Sequence, residues 1–122
     1  MSIFEMSITP QRFLAIKNNK LRALVTSHDT HDYAIGDIIL VFPFDSDAQT
    51  FLRFDEFSGH LVPLAQATQQ PLSSEGLLLE ICYIDSIDSQ HYALSFQLVT
   101  HHMKRTAIFA QLEAQGRQLL KR

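Results

Sequence analysis

The residues with types and spacing suited to chemistry are few. The stretch His28 to Asp32, HDTHD, sets two histidines three apart among carboxylates, a nitrogen and oxygen donor set of the kind zinc takes. Three or four convergent ligands are needed for a stable site, and a polar loop of this composition is in the first place solvated, so no metal is expected. His101 and His102 are consecutive and would diverge on a helix. Cys82 is the single cysteine and lies inside the apolar run GLLLEICYI, where a thiol behaves as a small hydrophobe, and a core position is expected for it. Glu80 belongs to the same run, so its carboxylate stands on the solvent side of a strand or in a cleft. Lys17, Lys20 and Arg22 could neutralise a phosphate, and Tyr33 has a ring that could stack a base or fill a core. The chain has no phosphate-binding glycine loop, nucleophile elbow or His-Glu-x-x-His, and it has only four glycines. No cofactor is expected.

Those residues have to be held by the elements around them. Ile3 to Ile8 reads as a strand, and Thr9 followed by Pro10 is a helix start: a hydroxyl cap, then a residue whose missing N–H costs nothing at the first helical position. The helix runs from Pro10 to about Lys17, buries Phe13 and Ile16, and ends at Asn18 and Asn19, which tolerate a left-handed exit. Leu21 to Thr26 reads as a strand, and 38 to 42, IILVF, as a strand buried on both faces that Pro43 ends. Thr50 to Phe57 and His60 to Leu64 form a hairpin around Ser58 and Gly59. Residues 65 to 75 lack apolar periodicity and read as an exposed connector. Gly76 to Ile84 and His91 to Val99 are the last strands, the second with Tyr92, Leu94, Phe96 and Leu98 on one face. From His101 the period lengthens to that of an amphipathic helix, with Ile108, Phe109, Leu112, Leu119 and Leu120 as its stripe.

A chain of 122 residues, 46% hydrophobic and 19% charged, has the apolar surface for one core and the length for one domain. No apolar run reaches the roughly 18 to 20 residues that span a bilayer, and the N-terminus lacks the basic and apolar regions of a secretory signal. With one cysteine no internal disulfide can form, so the cytoplasm is the expected location and no membrane partner is expected. The net charge of −3 conceals an asymmetry. Residues 1 to 100 carry five basic and twelve acidic residues, a net −7, whereas the last twenty-two carry five basic residues against Glu113, a net +4. An acidic body disfavours general nucleic-acid affinity, so any such affinity must come from a local basic cluster and fall with salt.

The order of elements in FLAIKNNKLRALVTSHDTHDYAIGDIILV, residues 13 to 41, resembles the ASCH branch of the PUA-like superfamily. Many such proteins follow the helix with Gly-Lys, a Thr-x-Glu-aliphatic-Arg strand and a Phe-x-x-Gly-Asp turn. Lys20 matches the lysine after the helix, and Tyr33, Gly36 and Asp37 match the turn. GLLLEICYID and YALSFQLV resemble the last two strands, so that the resemblance covers residues 6 to 47 and 76 to 99. Leu21 stands where a second basic residue is common, Arg22 replaces the Thr, Leu24 the Glu and Thr26 the Arg. The resemblance implies a cleft beside the first helix that recognises nucleic acid or a nucleoside. In some members a Lys, a Thr and a Glu there hydrolyse the amide of an acylated pyrimidine.

The expected fold is α+β: a small, mixed, PUA-like β-barrel of five or six strands, with the short N-terminal helix across one opening and the C-terminal amphipathic helix outside. Residues 1 to 100 would form the domain, with 48 to 75 as an insertion and 101 to 122 as an added basic helix. The expected function is a non-catalytic binding module for RNA or a nucleotide-like ligand, with Lys17, Lys20, Arg22, Thr26, Tyr33 and Glu80 as candidate ligand-binding residues. Departures at the Lys, Thr and Glu positions speak against catalysis. The alternatives are a protein-protein interaction or self-association module that uses the C-terminal helix, in the second case as a homodimer, and an amidohydrolase acting on an acylated pyrimidine nucleoside.

Overall fold

A computed structural model describes residues 1–27, 32–64 and 71–115. The first strand, β1 (Ile3–Ile8), leads straight into α1 (Pro10–Lys17). Thr9 caps the helix, its hydroxyl accepting the Arg12 N–H at 3.3 Å, with Pro10 at the first helical position. Ile8 and Phe13, before the cap and at the fourth helical position, are buried in one cluster and staple the entry angle. The exit is a Schellman turn: Asn19 is left-handed at φ 62°, its N–H donates to Ile16 O at 3.0 Å, and Lys20 N–H donates to Ala15 O at 2.7 Å. Eight residues cannot hold a helix by propensity alone, so Phe13 and Ile16, both buried, dock it.

Five further strands and a short hairpin strand complete a mixed sheet: β2 (Ala23–Ser27), β3 (Ile38–Asp45), β4 (Thr50–Asp55), β5 (His60–Pro63), β6 (Leu77–Ser86) and β7 (His91–Leu98). Their order is β2-β7-β6-β3-β4-β5, and β1 lies parallel to β3 on the remaining side. The described sheet therefore has seven strands, more than the five or six expected, because the 50–63 hairpin joins it through Phe44↔Phe51 and Asp45↔Thr50. The third strand does not stop at Pro43, as its missing N–H suggests. The β6 ladder ends at Val41↔Leu77, so at Pro43 there is no donor to lose on that side, and the strand runs on to Asp45. Ile38 to Phe42 are buried on both faces, as a central strand with covers on each side requires.

Two clusters lie on opposite faces of the sheet. On the inner face α1 packs Phe13 and Ile16 against Ile39, Val41, Leu79, Ile81, Leu94 and Phe96. The outer face is covered by α2 (His102–Ala114), whose Ile108 and Leu112, 2% and 5% exposed, meet Ile38, Leu40, Phe42, Phe51 and Leu78. The described part of the C-terminal stripe is thus spent on the chain's own sheet, with Phe109 half-buried beside it. Leu119 and Leu120 lie outside the described residues.

Cys82 departs from expectation. The β6–β7 register shifts between Ile81 and Tyr83, and this bulge turns Cys82 outward together with Tyr83, so the thiol is exposed instead of packed in the core. Gly76, at the entry to β6, is required for a different reason. A Cβ there would stand 2.7 Å from Leu40 Cδ1 and 2.8 Å from the Val41 carbonyl oxygen, which cannot rotate away. Gly76→Ala is therefore expected to destabilise the domain by about 1–3 kcal/mol in urea titrations, although alanine is elsewhere the easier residue to order.

Candidate functional site

The first helix stands between two open clefts. The larger, about 440 Å³, is a seam where the edges of β1 and β2 face each other. Among the described residues no ladder joins these two strands, so the barrel-like sheet stays open along this line. Ser7, Thr9, Thr26 and Ser46 line the cleft together with Arg12 and with the apolar Met6, Leu24 and Val25, the Thr9 hydroxyl serving also as the helix cap. Hydroxyls that donate or accept, beside a fixed planar cation, suit an oxyanion or phosphate with an apolar or aromatic neighbour. The smaller cleft, about 400 Å³, opens at the C-terminal end of α1 between Asn19, Leu21, Arg22, Phe96 and Gln97. There β7 runs past its partner strand: Phe96 N–H still donates to Arg22 O at 2.9 Å, beyond the last β2–β7 pair at Ala23↔Ser95.

The six candidates from the sequence do not gather in one place. Thr26 lines the seam, and Arg22 lines the cleft at the other end of α1. Lys17 lies over the Phe54 ring of β4, its ammonium 4.3 Å from the centroid, and Lys20 is exposed just after the helix. Tyr33 is half-buried and packs edge to face on Phe4 and Tyr92, away from the basic residues. Glu80 is on the α2 face of β6, between the inward-facing Leu79 and Ile81. Its carboxylate accepts from Lys104 Nζ at 2.6 Å and from Gln97 Nε2 at 3.4 Å. The Lys104 bond, opposed by partial burial, holds that carboxyl below its ordinary range. A Lys, Thr and Glu acting together on one amide would need Glu80 on the opposite face of the sheet.

Reading the sequence missed Arg12, Ser7, Thr9 and Ser46. In the sequence Arg12 lies off the Phe13–Ile16 stripe, and what it meets depends on the approach of β1 to β2. Among the described residues no three of His, Cys, Asp and Glu group to hold a metal ion. Residues 28 to 31 of the HDTHD loop lie outside the described residues. His91, by contrast, has Nδ1 3.1 Å from Asp88 Oδ1 in the turn between β6 and β7, where the same carboxylate oxygen also accepts the Gln90 and His91 N–H groups. These bonds, the Gln90 N–H foremost, lower the Asp88 carboxyl and give it a turn-forming role. No protein-family model matches the chain, and no curated protein matches it either. No described helix is long and apolar enough to cross a membrane.

Proposed function

We propose that the chain is a non-catalytic, PUA-like binding module whose seam beside α1 takes RNA or a nucleotide-like ligand through its phosphate. The observation that carries this reading is that Arg12 lines the seam together with four hydroxyl-bearing residues, Ser7, Thr9, Thr26 and Ser46, around about 440 Å³ of open space. The surrounding sequence supports it. From residue 6 to residue 28 every charged side chain is basic: Arg12, Lys17, Lys20 and Arg22, on a body of net −7. Lys20 and Arg22 extend the positive surface past the end of α1, where a second phosphate of a strand would pass.

The test is binding of a short single-stranded RNA and of nucleoside monophosphates, followed by fluorescence anisotropy and calorimetry over a series of salt concentrations. With three phosphate contacts log K is expected to fall with log salt with a slope of about −2. Arg12→Ala should weaken binding about tenfold, the worth of one charge-assisted contact. Reversing Lys20 and Arg22 to Glu should weaken RNA more than a monophosphate, because only the polymer reaches them. An affinity indifferent to salt and to Arg12 would overturn the reading.

A further inference from the structure

Tyr33 belongs to a third cleft that the phosphate reading does not use. It opens to about 310 Å³ between Asp32, Tyr33, Ile84, Ser86 and Tyr92. The planes of Tyr33 and Tyr92 meet at 78° with centroids 6.1 Å apart, so that the two rings stand as adjoining walls of a corner. Phe4 packs against Tyr33 at 4.9 Å and 73° and fixes its orientation. The third wall is charged through Asp32, which is exposed at the rim, whereas Asp85 alternates with Ile84 and Ser86 onto the other face of β6 and Asp88 is engaged in the turn after it. No Lys or Arg occurs between Ala23 and Leu52 or between Phe54 and Met103, so no lysine or arginine stands near Asp32 along the chain. Among the described residues His91 is a titratable group with basic character at this end, and it is held by Asp88, while His28 and His31, which precede Asp32 in the chain, lie outside the described residues.

A phosphate is repelled here, and an uncharged apolar guest would leave Asp32 unused. A cation satisfies both kinds of wall, because aromatic faces carry negative potential and the carboxylate supplies a full charge. Burial, aided by the Asp32 charge, raises the Tyr92 hydroxyl above its ordinary range, which keeps that ring a neutral phenol. We propose that the Tyr33–Tyr92 corner with Asp32 is a binding site for a small organic cation bearing an ammonium group, free in solution or at the end of a methylated lysine side chain. The site is independent of the seam beside α1 and stands or falls separately from it.

The experiment titrates the full chain with choline, with blocked trimethyl-lysine and with the uncharged tert-butyl analogue of choline, following backbone amide resonances. One of the two cations should shift the signals of residues 32–34, 84–86 and 92 saturably, and the tighter of them names the source of the group. The uncharged analogue should not. Asp32→Asn, at an exposed position that leaves the fold intact, should weaken the cation about three- to tenfold, as loss of the charge partner of one cation–π site implies. Tyr33→Leu should abolish saturation while circular dichroism reports the retained sheet. No saturable shift with either cation, equal shifts with the uncharged analogue, or an Asp32→Asn variant that binds as well as the original would each overturn the proposal.

Discussion

Ending the chain after Thr100 is expected to unfold the domain. The lost segment contains Ile108 and Leu112, both buried, and burying an aliphatic side chain of this size is worth about 1.5–3 kcal/mol. The larger loss is on the other side of the contact. Ile38, Leu40, Phe42 and Leu78 are wholly buried with α2 in place and form the cluster it covers. Uncovering them costs more than the helix itself gained, and a domain of this size has only about 5–15 kcal/mol in reserve. Lys104, bonded to Glu80, and Arg105, donating to the Val99 carbonyl at 3.3 Å, tie the start of the helix to the sheet in addition. Thermal melting and near-ultraviolet circular dichroism of the truncated chain should show no cooperative transition at room temperature. The milder Leu112→Ala should cost about 2–5 kcal/mol in the full chain. A truncated chain that melts like the original would mean that α2 is not part of the core. A dimer that becomes a stable monomer would make the helix the interface between two copies, the arrangement that the sequence alone left open.

How far the sequence discloses this molecule depends on whether the deciding physics is local. The Thr9-Pro10 start and the Asn18-Asn19 exit are local capping chemistry, and the helix runs over Pro10–Lys17 as they indicate. The alternation of Tyr92, Leu94 and Phe96 is also local, and all three side chains face the inner core. Cys82 is exposed against the pattern of its run because a bulge is a relation between two strands and leaves no mark in the composition of either. Pro43 does not end β3 because a proline ends a strand only where a neighbour requires its N–H, and where β6 stops is set by tertiary structure. The site is less legible than the fold for the same reason. Lys17, Lys20 and Arg22 are neighbours in sequence, yet one lies over Phe54 and another in the cleft beyond α1. Arg12 and Thr26 share a seam although fourteen positions separate them.

Asp37 shows how a short motif fixes a long-range contact, and its replacement should be among the most damaging single changes in the chain. It is 7% exposed, and its two carboxylate oxygens have separate duties: Oδ2 accepts the Ala34 N–H and Oδ1 the Ser2 N–H, both at 2.9 Å. The first bond closes the turn that Gly36 enters at φ +94°, a left-handed value that a side chain would strain. The second holds the start of β1 beside β3, where Ile38 N–H returns a bond to the Ser2 carbonyl at 2.9 Å. On the β6 side the same turn is secured by Gly36 N–H to Ile81 O at 2.8 Å and Ile81 N–H to Asp37 O at 2.9 Å. Asp37→Ala removes both acceptors from part-buried donors and is expected to cost about 2–4 kcal/mol, since hydrogen bonds to a charged group are worth about 1.5–3 kcal/mol each and some water will enter. Asp37→Asn is the sharper test. Its amide keeps one acceptor and turns an NH₂ toward the other backbone donor, so it should destabilise nearly as much as alanine despite equal size. Denaturant titration gives the loss, and hydrogen exchange should show it concentrated in β1, because that strand's register with β3 begins at this carboxylate. An Asn variant as stable as the original would mean that one acceptor is enough and that the charge has no part in seating β1. Because β1 supplies one wall of the seam, the same variants should weaken any ligand held there without touching it.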